Sequence, residues 1–193
     1  VDAREDSWNI DPEQVRAAAG PKTVGVVGVH LYGQPFDVAA VAEVCRRSER
    51  PMWLLEDAAQ AHLATYRGRT VGGLADAAAF SFYPSKNLGG PGDAGAVVTA
   101  RPEVAARVRA LRDHGQESKG IHVELGYTAR MSSLVAGALS LKLARLPEWT
   151  AQRTTAARRY LERLTDEPDI ERVTVPDWAG PVWHLFVVRV PER

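Results

Sequence analysis

A lysine in a glycine-rich turn is the residue whose setting most strongly suggests chemistry. In the segment SFYPSKNLGG (residues 81–90), a predicted strand ends at Ser81, a proline restricts the turn, and Lys86 precedes two glycines. A lysine in a desolvated site can lose its proton and attack a carbonyl carbon, and glycine lets the backbone approach a planar ligand. A solvated lysine on a glycine turn is the alternative interpretation of this segment taken alone.

A carboxylate at the end of an apolar stretch is the second candidate. Residues 52–55 (MWLL) predict a strand, and Asp57 follows shortly after it, three residues before Gln60. In open parallel sheets, ligands bind beyond the carboxyl ends of the strands, so Asp57 would direct its charge into a site. The alternative is that Asp57 caps a helix and that Gln60 lies one turn later.

Together the two segments resemble, in order and spacing, the sugar aminotransferases of the DegT/DnrJ/EryC1/StrS type, a branch of the fold-type I pyridoxal 5'-phosphate (PLP) enzymes. The similarity includes VHLYGQP (29–35), EDAAQAH (56–62), residues 80–95, LRDHG (111–115) and GYTARM (126–131). It implies an α/β fold, namely the three-layer large domain with a mostly parallel sheet, plus part of a small α+β carboxyl-terminal domain. Members of this family are considerably longer, so the sequence is expected to be the middle portion of such a chain.

The resemblance implies a role for each of four residues. Lys86 would hold PLP covalently and then move a proton between the substrate carbon and C4′ of the cofactor; members that dehydrate rather than transaminate carry histidine at this position. Asp57 would pair with the pyridinium nitrogen and keep it protonated, which lets the ring accept electrons. Gln60 would hydrogen-bond near the 3-oxygen of the ring, and Ser81 would contact the phosphate.

Three other positions carry further expectations. His30 and Tyr32 lie at the end of the first predicted strand and are candidate substrate contacts, although His30 could equally be a hydrogen-bonded structural histidine. Related enzymes usually have asparagine where this chain has Thr128, and that asparagine reaches the cofactor phosphate of the neighbouring subunit. The resemblance therefore implies a homodimer with sites built across the interface, and it leaves this one contact open.

The elements that must position these residues alternate between strands and helices. The apolar run from Thr23 to Leu31 predicts a strand covered on both faces, and residues 36–45 show helical spacing before the strand at 52–55, so a parallel crossover is expected. Further predictions are a helix from Asp11, a hairpin at 66–70, strands at 76–82, 94–99, 170–175 and 183–190, and helices at 102–111, 132–146 and 148–164. We expect a PLP-binding large domain over residues 1–146 and the start of the small domain over residues 147–193.

Composition narrows the classes of function. Lys plus Arg and Asp plus Glu both number 24, so no overall field favours nucleic acid or anionic lipid as a partner. No apolar run reaches the roughly 20 residues of a membrane-spanning helix. Cys45 is the single cysteine and cannot form an internal disulfide, which favours a cytoplasmic setting. The histidines lack metal-site spacing, so no metal is expected. The glycines match neither a dinucleotide-binding fingerprint nor a Walker A loop, so no nucleotide-phosphate site is expected.

These observations lead to one principal hypothesis, which is amino transfer from glutamate or glutamine to a keto sugar carried on a nucleotide. The reaction would be a two-stage ping-pong cycle that uses PLP. Two alternatives stay open. The acceptor could be a keto-cyclitol such as an inosose, or the chain could be a truncated, non-catalytic subunit that only dimerises with an active partner.

Overall fold

The computed structural model describes residues 1–191 as five helices and eleven strands, together with a short 3₁₀ turn at Leu31–Gly33. In chain order the elements are α1 (Pro12–Ala18), β1 (Gly25–Val29), α2 (Val38–Arg47), β2 (Trp53–Asp57), β3 (Thr65–Tyr66), β4 (Arg69–Thr70), β5 (Ala77–Ser81), β6 (Gly95–Val98), α3 (Pro102–Arg112), β7 (Gln116–Ser118), β8 (Ile121–His122), α4 (Ser133–Leu143), α5 (Leu146–Arg163), β9 (Glu171–Arg172), β10 (Ala179–Gly180) and β11 (Val188–Arg189).

The central sheet has the strand order β1-β2-β5-β6. Strands β1 and β2 pair in parallel with α2 between them in the chain, and β2 pairs in parallel with β5. Strand β6 returns antiparallel to β5. The mostly parallel α/β sheet expected from the sequence is therefore confirmed, and the carboxyl ends of β1, β2 and β5 meet at one edge.

Helix α2 covers one face of this sheet. Asp37 caps the helix by accepting a hydrogen bond from the backbone N–H of Ala40 (3.1 Å). The apolar residues recur at helical spacing, so Val38, Val41, Val44 and Cys45 are all buried against the sheet. Burying each such aliphatic side chain is worth about 1.5–3 kcal/mol, which makes this stripe a main contributor to the core.

The opposite face of the sheet differs from the prediction. Val27 of β1 is 59% exposed and Trp53 of β2 is 44% exposed, and Leu55 of β2 and Val97 of β6 are exposed as well. The apolar run from Thr23 to Leu31 predicted a strand covered on both faces, and this was wrong for residues 1–191, because among them only one face of β1 is buried. Side chains alternate between the two faces of a strand, so Trp53, Leu55 and Asp57 of β2 all lie on this exposed face.

A second, smaller cluster joins the lysine turn to the helices that follow. Leu88 is buried against Leu139 of α4 and Leu146 of α5, and Trp149 packs beside them. Helix α4 ends at Leu143, three residues earlier than predicted, and α5 starts close to the expected position, with Pro147 in its first turn.

The carboxyl-terminal strands are shorter than the sequence predicted. Strands β9 and β11 contain two residues each, and prolines at 176, 181 and 191 interrupt this part of the chain, where a missing N–H prevents ladder bonding. Strand β10 pairs with β3, and Val182 enters the main core. Residues 179–182 therefore lie against the region predicted as the large domain, and the division at residue 146 stays a prediction.

Candidate active site

Two of the predicted cofactor residues lie on neighbouring strands and point the same way. Asp57, the last residue of β2, lies opposite Ala79 in the parallel ladder with β5, and Ser81 ends β5 two residues later. Because side chains alternate between the faces of a sheet, Asp57, Ala79 and Ser81 project from the same face. Asp57 and Ser81 are half-buried, so both are fixed by the sheet and open to a ligand.

Hydrogen bonds to backbone groups two residues later orient these two side chains. One carboxylate oxygen of Asp57, Oδ1, accepts from the backbone N–H of Ala59 (3.0 Å). Residues 58–63 form turns, so Asp57 caps a turn rather than the helix considered as an alternative. Ser81 Oγ accepts from the N–H of Tyr83 (3.3 Å). The hydroxyl hydrogen of Ser81 is therefore directed away from its own turn and can be donated to an anion.

Gln60 holds a strained backbone next to the site. Its Oε1 accepts from the N–H of Tyr32 (2.6 Å), and the carbonyl of Tyr32 accepts from the N–H of His184 (2.9 Å). Tyr32 has a φ of 58°, a left-handed conformation that is uncommon for a bulky residue and tends to occur at functional sites. Among residues 1–191 the Gln60 amide nitrogen has no hydrogen-bond partner, so it can donate to a ligand.

His30 lies in the core of the described residues. Its ring is completely buried, stacks on Phe36 with centroids 4.7 Å apart, and lies 3.0 Å from Glu56 Oε2 through Nε2. Of the two alternatives left open by the sequence, the structure therefore supports the hydrogen-bonded structural histidine. A side chain with no exposed surface cannot contact a substrate.

Glu56 is a buried carboxylate that the sequence did not identify. It accepts hydrogen bonds from His30 Nε2 and from the backbone N–H groups of Gly72 (2.8 Å), Leu74 (2.8 Å) and Ala75 (3.1 Å). Burial by itself raises the pKa of Glu56, but the hydrogen bonds outweigh it and hold the pKa below its ordinary value. Glu56 is thus an ion that ties residues 72–75 to β2 on the face opposite Asp57.

The Lys86 turn is built so that only glycine fits behind it. The N–H of Lys86 donates to the carbonyl of Tyr83 (2.9 Å), and a Cβ at Gly89 would lie 2.2 Å from the carbonyl oxygen of Pro84. Lys142 Nζ of α4 donates to the carbonyl of Gly89. Lys86 itself is half-buried at the sheet edge where Ser81 ends β5.

Three buried polar residues beside this turn were missed by sequence reasoning, namely His62, Asn87 and His184. Burial, and then the nearby His184 and Lys86, lower the pKa of His62 to about 4. The His62 ring lies 5.4 Å from that of Phe80, and both of its nitrogens lack a partner among the described residues. Burial, and then Lys86 and Arg153, also lower the pKa of His184. Two signals were available in the sequence, because His62 lies close to Asp57 and Asn87 directly follows Lys86.

Thr128 lies apart from these residues, in an exposed segment. Its Oγ1 is 3.3 Å from His114 Nδ1, and its backbone forms a bridge with Asp113. A contact from this position to the cofactor of a neighbouring subunit stays a prediction.

The donor set fits PLP. The carboxylate of Asp57 suits the ring nitrogen, the amide nitrogen of Gln60 suits the 3-oxygen, and the hydroxyl of Ser81 suits the phosphate. Lys86 lies in the turn that comes after Ser81 in the chain. All four side chains are half-buried while their backbones are held by strands and turns.

Residues 1–191 contain no group of three His, Cys, Asp or Glu side chains arranged to hold a metal. Across the same residues, every helix is too short or too polar to cross a bilayer.

Comparison with known proteins identifies the family. The sequence model of the DegT/DnrJ/EryC1/StrS aminotransferase family matches residues 1–193. The chain belongs to this family. The DegT/DnrJ/EryC1/StrS chain is 45% identical over 187 residues to the erythromycin biosynthesis sensory transduction protein EryC1 of Saccharopolyspora erythraea, covering 97% of this chain and 50% of that protein. It is also 45% identical to a dTDP-3-amino-3,4,6-trideoxy-alpha-D-glucose transaminase of Streptomyces venezuelae. That match covers 100% of this chain and 50% of that protein.

Solved structures of the same family confirm the fold. The crystal structure of S. venezuelae DesV in complex with a ketimine intermediate superposes with a TM-score of 0.94 at 43% identity, covering 99% of this chain and 51% of that one. The fold-type I architecture predicted from the sequence is therefore confirmed. The DegT/DnrJ/EryC1/StrS chain spans about half the length of the curated relatives it matches.

Proposed function

We propose that the full-length protein is a PLP-dependent aminotransferase that moves an amino group from glutamate or glutamine to a nucleotide-linked keto sugar. One observation carries the proposal. Asp57 and Ser81 project from the same face at the ends of neighbouring parallel strands, and the Lys86 turn follows Ser81 directly. A carboxylate and a hydroxyl thus lie at one edge of the sheet, beside the turn that carries the lysine, and open α/β sheets bind ligands at such an edge.

The side chains would divide the binding of the cofactor between them. When bound, PLP accepts the electrons released as the substrate carbon loses its proton. The negative charge of Asp57 keeps the ring nitrogen protonated, since an opposite charge at close range favours the charged form. Gln60 donates its amide N–H to the 3-oxygen while its Oε1 remains bonded to Tyr32. Ser81 donates its hydroxyl to the phosphate.

Lys86 would hold the cofactor covalently and carry the proton. An amine serves as a base only after it has lost its proton. The two nearest histidines have pKa values lowered by burial, so both rings are neutral at pH 7. Lys86 is therefore the basic group placed to take the proton from the substrate carbon and return it at C4′.

The relatives support a sugar acceptor. The Streptomyces venezuelae relative is named as a transaminase of a dTDP-linked amino sugar, and the match covers 100% of this chain and 50% of that protein. The names of the relatives do not favour a keto-cyclitol acceptor. Another relative is named as a sensory transduction protein, which keeps the non-catalytic alternative as an outcome that the test must decide.

We also propose a cytoplasmic homodimer. Residues 121–143 expose several large apolar side chains, of which Leu125 is 96% exposed and Leu134 is 85% exposed. Exposed apolar surface of this kind marks interaction sites, and Thr128 lies within the same stretch. Light scattering of the full-length protein should give twice the mass of one chain; a monomer at micromolar concentration would contradict the proposal.

Borohydride reduction tests the cofactor chemistry. The full-length protein loaded with PLP should show a visible absorbance band that borohydride removes, and the cofactor should be recovered on the peptide that contains Lys86. Lys86→Ala should abolish both signals, whereas Lys119→Ala, at an exposed position, should change neither. Labelling of a different lysine, or no labelling, would refute the proposal.

Acceptor assays separate the possible substrates. The protein should convert a dTDP-linked or UDP-linked keto sugar in the presence of glutamate or glutamine, and an inosose should not react. Turnover with the inosose alone would assign the cyclitol reaction, and the absence of turnover with every acceptor, despite bound PLP, would favour a non-catalytic subunit.

A further inference from the structure

We propose that Asn87 and His184 form a positioning pair that fixes the Lys86 turn, an inference that rests on the proposed function. The two residues are separated by 97 positions in the chain, yet His184 Nδ1 lies 3.1 Å from Asn87 Oδ1. Both side chains are buried. Asn87 directly follows Lys86, so a contact that fixes Asn87 also restricts the lysine.

The hydrogen bonds of Asn87 determine the tautomer of His184. Asn87 Nδ2 donates to the carbonyl of Val182 (3.1 Å), because a carbonyl oxygen can only accept. The amide oxygen of Asn87 must then face His184, so the His184 ring donates from Nδ1–H. With its pKa lowered by burial, the ring is neutral and Nε2 carries no proton.

The segment that carries His184 is itself fixed from several sides. The N–H of Val182 donates to the carbonyl of Gly33 (3.0 Å), and the N–H of His184 donates to the carbonyl of Tyr32 (2.9 Å). Arg153 of α5 donates to the carbonyl of His184 (3.3 Å). Because Tyr32 is in turn bonded to Gln60, the pair links the lysine turn to the residues that follow β2.

The pair acts at one end of the turn. Without it, the turn would still be held by Leu88 in the cluster with α4 and α5, by Lys142 at Gly89, and by the hydrogen bond from the N–H of Gly90 to the carbonyl of Phe82. A displacement of about 1 Å in a reacting group can cost about a hundredfold in rate. Asn87 and His184 are therefore expected to affect the rate of the chemical step through Lys86, without touching the substrate.

Two amide substitutions of His184 provide a sharp test. The amide nitrogen of asparagine occupies the place of Nδ1 in histidine, whereas the amide of glutamine reaches the place of Nε2. Because the bond to Asn87 uses Nδ1–H, we expect His184→Asn to preserve it and His184→Gln to lose it. Asn87→Ala should behave like His184→Gln, and the double variant should show no further effect, since both changes remove the same bond.

Amide hydrogen exchange is the readout that does not depend on activity. In the full-length protein without PLP, the backbone N–H groups of residues 82–90 should exchange about tenfold faster in Asn87→Ala and His184→Gln. His184→Asn should stay close to the wild type. Thr99→Val is the control, because the Thr99 hydroxyl also donates to a backbone carbonyl, that of Asp76, which lies at the opposite end of β5 from the lysine turn.

Kinetics on the PLP-loaded protein complete the test. The single-turnover rate with the amino donor should fall about ten- to a hundredfold in Asn87→Ala and His184→Gln, with KM changed much less than kcat. Equal exchange and equal rates in His184→Asn and His184→Gln would overturn the positioning role. The proposed function has its own test, because wild-type protein that fails to bind PLP at Lys86 would overturn that function, whereas the exchange result reports on the pair alone.

Discussion

Replacing Glu56 by glutamine and Asp57 by asparagine makes the same chemical change at adjacent residues on opposite faces of β2. Glu56 is buried and accepts four hydrogen bonds, whereas Asp57 is half-buried and accepts one, from Ala59. We expect Glu56→Gln to reduce the free energy of unfolding while the chemistry is retained. Asp57→Asn should have the opposite pattern, with stability retained and activity lost.

The magnitude for Glu56→Gln follows from its hydrogen-bond partners. The amide oxygen of glutamine can replace Oε1 and keep the bonds from Leu74 and Ala75, and His30 can change its tautomer to accept from the amide nitrogen. The N–H of Gly72 then faces a donor and is left unpaired, which costs about 1–3 kcal/mol, and the remaining bonds lose their charge assistance. Together these losses should lower stability by about 3–5 kcal/mol.

Urea unfolding of the full-length protein at pH 7, followed by tryptophan fluorescence, measures this difference. PLP should be omitted, since a ligand that binds only the folded state adds its own stabilisation. Asp57→Asn should cost less than about 1 kcal/mol and should reduce kcat by about a hundredfold or more. If Asp57→Asn destabilised the protein as much as Glu56→Gln, or if Glu56→Gln lay within about 1 kcal/mol of the wild type, the assignment of the two carboxylates would be wrong.

Other predictions concern the surroundings of Lys86. Because burial lowers the pKa of His62 from 6.5 to about 4, the unfolded chain binds a proton between these values that the folded chain does not. Stability should therefore fall as the pH is lowered through this window, by up to about 3 kcal/mol, and His62→Phe should remove that dependence in urea unfolding between pH 4 and 7. Gly89→Ala, which would bring a Cβ within 2.2 Å of Pro84 O, should displace the turn and weaken PLP binding at least tenfold, or about 1.4 kcal/mol. Gly92→Ala, with nothing near its added Cβ, should bind PLP normally in the same absorbance titration.

The parts of the site that are local in sequence could be predicted from it. Asp57 ends an apolar strand and Lys86 lies in a short glycine turn, so residue type and spacing made both of them candidates, and the family resemblance favoured them over the alternatives. The order of strand, helix and strand around α2 was equally accessible, because helical and strand periodicities differ clearly there.

The parts that depend on distant partners could not be predicted. Glu56 and Asp57 are adjacent and both negatively charged, and nothing in the sequence shows that Glu56 faces the core and Asp57 the open face. Asn87 looks like an ordinary turn residue until the segment around His184 lies against it. The exposed side of β1 was also missed, since an apolar run indicates that a strand can be covered without showing what covers it.

The distance in the chain between Asn87 and His184 has a consequence for how the protein is made. A ribosome adds about 5–20 residues per second. Because His184 lies 97 positions after Asn87, roughly 5–20 seconds separate the synthesis of these two residues. During that interval the nascent sheet can form with the Lys86 turn still loosely held. Cofactor capture during translation should therefore wait until the later segment has left the exit tunnel.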